Sequence, residues 1–410
     1  MPLLQALLGL LESCVRYRLR EKVFYMKRRV LFIVPRFGSI FRGVESFTRE
    51  LASRLDQHRF DVTILSGPHS DALSGITFQR GKLFRRENMA WLDRMPWIGQ
   101  LLSPLGFGTA SDIESLSLLS HFHGHWPPDA FDIVVPLGGS WSYRFAYRNF
   151  PSAKVVSIGQ AGPVARDLLL SHVFVALTPY DEERARSMCP GLVTKIIPNG
   201  VDVTRFSPSG EQRSASQPMR TILCVAALVP DKRHDLLFDA VLCLPSNVRV
   251  VCVGAGPQQA ILNRHPLSQA GRVEWRTCSF SEMPEVYGLG DVFSLASPEE
   301  AFGIVFIEAM ASGLPVVAHD GPRQRFVIGE GGVFCNVFDG AAYAKALEIA
   351  LDVSLTVQAR EQALGFDWSR LVHEYADLFE WLCSDGRVEQ GSINLMAQAM
   401  KKNLIPNRVC

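Results

Sequence analysis

Ser297-Pro-Glu-Glu-Ala-Phe-Gly-Ile-Val-Phe-Ile-Glu-Ala-Met-Ala-Ser-Gly-Leu-Pro315 is the stretch on which the fold turns. It follows a short apolar run, Val292–Leu295, that reads as a buried strand; its own pattern reads as a loop, then a helix from about Gly303 to Ser312, then a strand at Pro315–Val317. That order is the repeating unit of a parallel sheet. Gly303 lets the backbone approach a ligand closely, and the helix beginning there offers free amides and a dipole that favour an anion such as phosphate. Glu300 in the loop and Glu308 about a turn into the helix stand eight residues apart, so both can face one ligand. Carboxylates beside a bound phosphate are best explained as acceptors for sugar hydroxyls. The competing explanation, acids that complement a helix dipole, is worth about 1 kcal/mol or less.

Outward from this stretch the texture repeats. Ile222–Val225 and Val248–Val253 read as strands, with Leu236, Leu237, Ala240, Val241 and Leu244 on one helical face between them. Ala341–Leu351 and Trp368–Leu382 read as helices. Ser207–Pro218 contains no large apolar residue and reads as an exposed linker. Before it lie a strand at Val30–Val34, a helical face of Val44, Phe47, Leu51 and Leu55, and strands at Val62–Leu65, Ile133–Leu137, Val155–Ile158 and Val173–Thr178. Residues 67–128, with Trp91, Trp97 and a weak helical pattern at Ile113–Leu119, receive no firm assignment. The expected architecture is α/β: two Rossmann-like, doubly wound parallel-sheet domains facing across a cleft toward which their ligand sites point. The expected divisions are an extension at 1–29, a first domain at 30–206, the linker at 207–218, a second domain at 219–366, a helix at 367–383 able to pack back on the first domain, and a tail at 384–410.

Composition narrows the function. With 47% hydrophobic and 20% charged residues the chain has the balance of a folded globular protein and not of a disordered one. Basic residues number 42 and acidic 41, so the footprint of a general nucleic-acid binder is missing and a charged ligand must be met by a local cluster. The nine cysteines form no CxxC pair and read as thiols in a reducing compartment. The apolar run Leu3–Leu11 is far below the roughly 20 residues of a membrane span, and no basic residue precedes it as in a secretory signal. Cytoplasmic location is the expectation. Within 1–29 the apolar run is followed by Arg16, Arg18, Arg20, Lys22, Lys27, Arg28 and Arg29, a pattern suited either to peripheral contact with the inner face of a membrane or to a poorly ordered tail. Met26, directly before the first strand, competes with Met1 as the start.

Glu300-x7-Glu308, with Phe302-Gly303 and the run Glu308–Val317, resembles the signature of the family 4 retaining glycosyltransferases of GT-B fold, the "glycosyl transferases group 1". Ile197–Pro208 is similar to that family's domain crossover, Val253–Pro257 to its second-domain glycine turn, Pro230–Leu237 to its phosphate-lysine segment, and Arg42–Glu45 to its first glycine loop. The resemblance covers about 30–382. It implies a metal-independent, cofactor-free enzyme that moves a hexose or related sugar from a nucleotide diphosphate sugar to a glycan or lipid-linked acceptor. On that resemblance Glu308 holds the ribose, Glu300 with the amides of Phe302, Gly303 and Ile304 holds the donor sugar, Lys232 neutralises the diphosphate, and Gly43 brings first-domain amides to the same phosphate. Leaving-group charge stabilised by a fixed ammonium and helix amides is sound chemistry for breaking a sugar–phosphate bond.

The chain departs from the family pattern in places. Ala226-Ala227 stands where a Gly-Arg pair is usual, which leaves Arg233 as the candidate second cation. The double glycine of the first loop is Arg42-Gly43. Histidines that the family often places after its first-domain strands are absent, and Gly138, Gly139 and Gln160 stand as the acceptor-side candidates. His121-Phe-His-Gly-His125 projects alternate imidazoles but has no second cluster to complete a metal shell, so no metal site is expected. Gly254-x-Gly256 lacks a third glycine and can simply tighten a turn. Two other readings stay open: a nonenzymatic nucleotide-sugar binding protein, motivated by Ala227, and another enzyme of this architecture such as a nucleotide-sugar epimerase or hydrolase. A dinucleotide-dependent oxidoreductase ranks last, since no GxGxxG follows Val30–Val34.

Overall fold

The computed structural model describes residues 26–39, 42–68, 72–84, 109–208 and 219–384, with positions 88, 95 and 97 besides. The segment 1–25, most of the linker, Trp91 and the tail from 385 therefore lie outside the described residues. In the first domain, strands β1 (Arg28–Ile33), β2 (Phe60–Ser66), β3 (Thr77–Arg80), β4 (Ile133–Pro136), β5 (Lys154–Ile158), β6 (Val173–Ala176) and β7 (Val193–Ile196) form one parallel sheet in the order β3-β2-β1-β4-β5-β6-β7. Its helices are α1 (Gly43–Arg54), α2 (Ala110–Leu119), α3 (Ser140–Asn149), α4 (Ala165–Leu168) and α5 (Pro179–Met188). In the second, β8 (Arg220–Val225), β9 (Val248–Val253), β10 (Val273–Arg276), β11 (Val292–Leu295), β12 (Val316–His319) and β13 (Gly332–Cys335) run in the order β10-β9-β8-β11-β12-β13. The helices there are α6 (His234–Leu242), α7 (Gln259–Leu262), α8 (Pro266–Gln269), α9 (Met283–Tyr287), α10 (Ile304–Ala311), α11 (Pro322–Ile328), α12 (Gly340–Asp352) and α13 (Thr356–Leu364), followed by α14 (Trp368–Cys383).

Val30 through Ile33 are fully buried, which explains why β1 is apolar without alternation: helices cover both faces of the sheet. Val30 pairs with Val62 on one side and Ile133 on the other. Each sheet reverses its strand order once, between β1 and β4 and between β8 and β11. Loops leaving the two strands at a reversal part company and open a crevice at the C-terminal edge. Arg42-Gly43 and Gly138-Gly139 follow the strands of the first reversal; Lys232 and Glu300 follow those of the second.

Part of the segment 67–128 is ordered secondary structure. β3 has four residues, none buried, at the sheet edge, so it leaves no hydrophobic signature. α2 begins three residues before its apolar pattern because Thr109 and Asp112 form a reciprocal cap, each side chain accepting the other's backbone N–H.

The chain crosses between domains twice, and the crossings are tied together. Val201 N–H donates to the Phe366 carbonyl at 2.8 Å, and Trp368 N–H donates to the Val201 carbonyl at 3.1 Å. A Cβ on Gly200 would sit 2.5 Å from the Trp368 indole, so only glycine fits there. α14 then lies on the first domain: Phe47 of α1 packs on Trp368 (5.8 Å between ring centroids) and Tyr375 (5.7 Å), Phe60 packs on Phe379 (6.1 Å), and Arg59 pairs with Glu380 at 2.7 Å. Burying rings of this kind contributes about 1.5–3 kcal/mol each before entropy is counted. A second bridge joins the domains beside the loop that carries Glu300, since Arg323 also lies 3.9 Å from Glu299. Fully buried Asp181, capped by Thr178 at the start of α5, pairs with Arg323 of α11 at 2.7 Å, and that guanidinium lies 5.0 Å from the Tyr180 ring centroid.

Candidate active site

The exits of β8 and β11, adjacent in the sheet, bring together two side chains 68 residues apart: Lys232, ending a single 3₁₀ turn, donates its ammonium to the Glu300 carboxylate. Glu300 is 9% exposed and Phe302 2%. Gly303 adopts φ 80°, and a Cβ there would lie 2.4 Å from the Phe306 ring, so the tight start of α10 requires glycine. No side chain caps α10, which leaves its first amides without a side-chain acceptor. Across the cleft, α1 begins at Gly43, whose position for a Cβ lies 3.7 Å from Ile304 Cδ1. The N-termini of α1 and α10 thus face each other beside Lys232 and Glu300, an arrangement that draws anions.

Glu308 lies one turn further along α10. Its Oε2 accepts a hydrogen bond from the Tyr287 phenol at 2.7 Å. Burial pushes its carboxyl up to about 7, opposed by the Tyr287 hydrogen bond and the Arg205 charge and reinforced by Glu50. Glu308 and Ile304 line a narrow crevice between the domains, with Ser46 and Glu50 of α1, Asp202 of the crossover and Phe280. Phe280 is held against the first domain: Arg205 lies 4.0 Å from its ring centroid and donates to its carbonyl, and Arg49 lies 5.7 Å from the same ring. Glu50 is ion-paired with Arg54, which also holds Asp202 at 2.7 Å, and lies 3.7 Å from Arg205.

The remaining candidate residues have structural partners of their own. The Arg233 guanidinium turns to Asp235 at 2.8 Å and to the Phe338 ring, so it forms no pair with Glu300 as Lys232 does. Gly138 and Gly139 meet a packing need: Cβ atoms there would lie 2.5 Å from Ser142 Oγ and 2.8 Å from the Ser111 carbonyl, where α2 crosses α3. Gln160 is bonded to Asn199 of the crossover at 2.7 Å. Gly254 lets β9 pass β8, since a Cβ would sit 2.0 Å from the Ala226 carbonyl oxygen. His121 bonds to the Ser117 carbonyl and His125 packs on Phe122 and Trp126. Among the described residues no group of three His, Cys, Asp or Glu side chains gathers into a metal site. Sequence reasoning missed Tyr287, Arg205, Glu50 and Phe280 as neighbours of Glu308. Arg205 lay inside the quoted crossover stretch, whereas Tyr287 carries no signal that separates it from core.

Residues 219–352 match the family described as glycosyl transferases group 1. Over 390 residues the chain is 25% identical to a GDP-mannose:cellobiosyl-diphosphopolyprenol alpha-mannosyltransferase of Komagataeibacter xylinus, covering 86% of this chain and 93% of that protein. It is 30% identical over 181 residues, 38% of this chain and 47% of the other, to a GDP-mannose-dependent alpha-(1-6)-phosphatidylinositol monomannoside mannosyltransferase of Mycobacterium tuberculosis. In structure it resembles Anabaena HepE in complex with UDP and glucose, with a TM-score of 0.64 and 16% identity over 86% of this chain and 99% of that one, a likeness of fold.

Proposed function

We propose that the chain, whose residues 219–352 match the group 1 family, is a GT-B glycosyltransferase that moves a hexose with retention of anomeric configuration, without a metal, onto a glycan or lipid-linked acceptor. The observation that carries this reading is the Lys232–Glu300 pair at the meeting point of two helix N-termini. An ammonium and two amide ends suffice to meet a diphosphate's charge, and Lys232 on entry of the donor exchanges Glu300 for the leaving phosphate, freeing the carboxylate for sugar hydroxyls. The acceptor hydroxyl attacks the face that the nucleotide leaves, and a leaving-phosphate oxygen takes its proton. Glu308, in the interdomain crevice, meets the ribose. Two relatives named for GDP-mannose make that donor the first to try, and their lipid-borne acceptors suit a basic N-terminal extension in contact with a membrane. No helix among the described residues is long and apolar enough to cross a membrane.

The test is thermal stabilisation by GDP, UDP, ADP and their sugar conjugates, with Lys232→Ala and Glu308→Ala in parallel. Selective stabilisation by one nucleotide, weakened in both variants, is expected. No stabilisation by any of them would refute the donor site; tight donor binding with no turnover against a broad acceptor panel would instead favour the nonenzymatic reading motivated by Ala227.

A further inference from the structure

We propose that Tyr287 is a positioning residue for Glu308: its phenol holds one carboxylate oxygen and so keeps the group an acceptor for the hydroxyls of a bound nucleotide. The proposal rests on the reading that Glu308 meets the ribose. Tyr287 is fully buried at the end of α9, with its ring edge-on to Phe206 (5.7 Å) and tilted on Phe293 (6.1 Å), so it can present its hydroxyl in one place only. That place is 2.7 Å from Glu308 Oε2. A buried phenol requires a partner, and here burial and the facing carboxylate raise its own ionisation well above the ordinary range, so it remains a donor throughout neutral and alkaline pH.

The groups that face Glu308 come from four places. Tyr287 of α9 and Arg205 of the crossover hold its ionisation down, Glu50 of α1 pushes it up, and Cys278, in the loop before α9, interacts with the same charge. Glu50 is itself countered by Arg54 and Arg205. Tyr287 is the group among these that touches the carboxylate by a hydrogen bond. A carboxyl poised near neutrality loses its acceptor strength if that bond is removed.

The experiment is calorimetric titration of GDP, UDP and ADP into the full chain from pH 7 to 9, above the second ionisation of a terminal phosphate, which lies near 6. Tyr287→Phe and Glu308→Gln are compared with the parent, and the Tyr287→Phe ring keeps the packing with Phe206 and Phe293. If the midpoint of Glu308 rises by one unit from about 7, Tyr287→Phe binds about fivefold more weakly at pH 7 and equally at pH 9. A uniform loss at every pH, or no loss, would overturn the positioning role. Glu308→Gln is expected to bind weakly without this pH dependence. Full binding by Glu308→Gln would instead remove the ribose reading itself.

Discussion

Replacing Arg323 by alanine breaks the bridge between α5 and α11 and leaves a carboxylate buried without its counter-charge. The guanidinium donates to Asp181 at 2.7, 3.1 and 3.2 Å, and Asp181 is fully buried. Removing one partner of such a pair costs about 3–5 kcal/mol, because the surviving ion keeps its desolvation penalty. Thr178 still donates to Asp181 at 2.8 Å, which places the loss toward the lower end, about 3 kcal/mol. Asp181→Asn with Arg323→Met removes both charges and is expected to cost only about 1 kcal/mol. The assay is urea unfolding followed by tryptophan fluorescence on all corners of the cycle, with the first transition analysed separately, since two domains need not unfold together. A loss under about 0.5 kcal/mol for Arg323→Ala, or no coupling in the cycle, would show that the pair is solvated and that the domains are held elsewhere.

Other outcomes follow from the same geometry. Glu308 titrates near 7 in the fold against about 4.5 free, so the folded state holds its proton more tightly and stability falls as pH rises across that window; Glu308→Gln should stabilise the unliganded protein by about 1–3 kcal/mol at pH 8 and hardly at all at pH 4.5, read by urea unfolding. Gly303→Ala meets both a φ of 80° and the Phe306 ring, so it should lower stability by about 1–2 kcal/mol and nucleotide affinity by more than tenfold in titration. Phe379→Ala, fully buried against Phe60, should cost about 3–5 kcal/mol in urea unfolding. Transfer activity should survive excess EDTA; its loss there would show that Lys232 and the helix ends do not carry the diphosphate's charge unaided.

The central strands of both sheets were legible because strands buried on both faces must be continuous apolar runs, and Val30–Val34, Ile222–Val225 and Val250–Val253 are such runs. β3 was illegible for the opposite reason, a short edge strand with half-polar faces. Of the candidate site, Lys232, Glu300 and Glu308 were singled out by the resemblance their spacing carries, and the structure pairs Lys232 with Glu300 and sets Glu308 one turn along the helix that follows. What surrounds them was not. Tyr287 sits in an apolar helix and its hydroxyl meets Glu308 only because α9 and α10 pack together; Arg233 looked equivalent to Lys232 until its neighbour Asp235 was seen to take it. Gly138 and Gly139 are required by packing whether or not a ligand passes them, a need that the sequence does not display.

The return of α14 onto α1 and β2 also bears on how the protein is made. The ribosome releases Phe47 and Phe60 early, yet the rings that cover them, Trp368, Tyr375 and Phe379, emerge only after the whole second domain. The first domain therefore waits through most of synthesis with an open apolar seam, and its completion is conditional on the second domain having folded well enough to hand the chain back at Phe366 and Val201. A nascent chain stalled or truncated before residue 368 would keep that seam uncovered, a ready surface for chaperones or for aggregation.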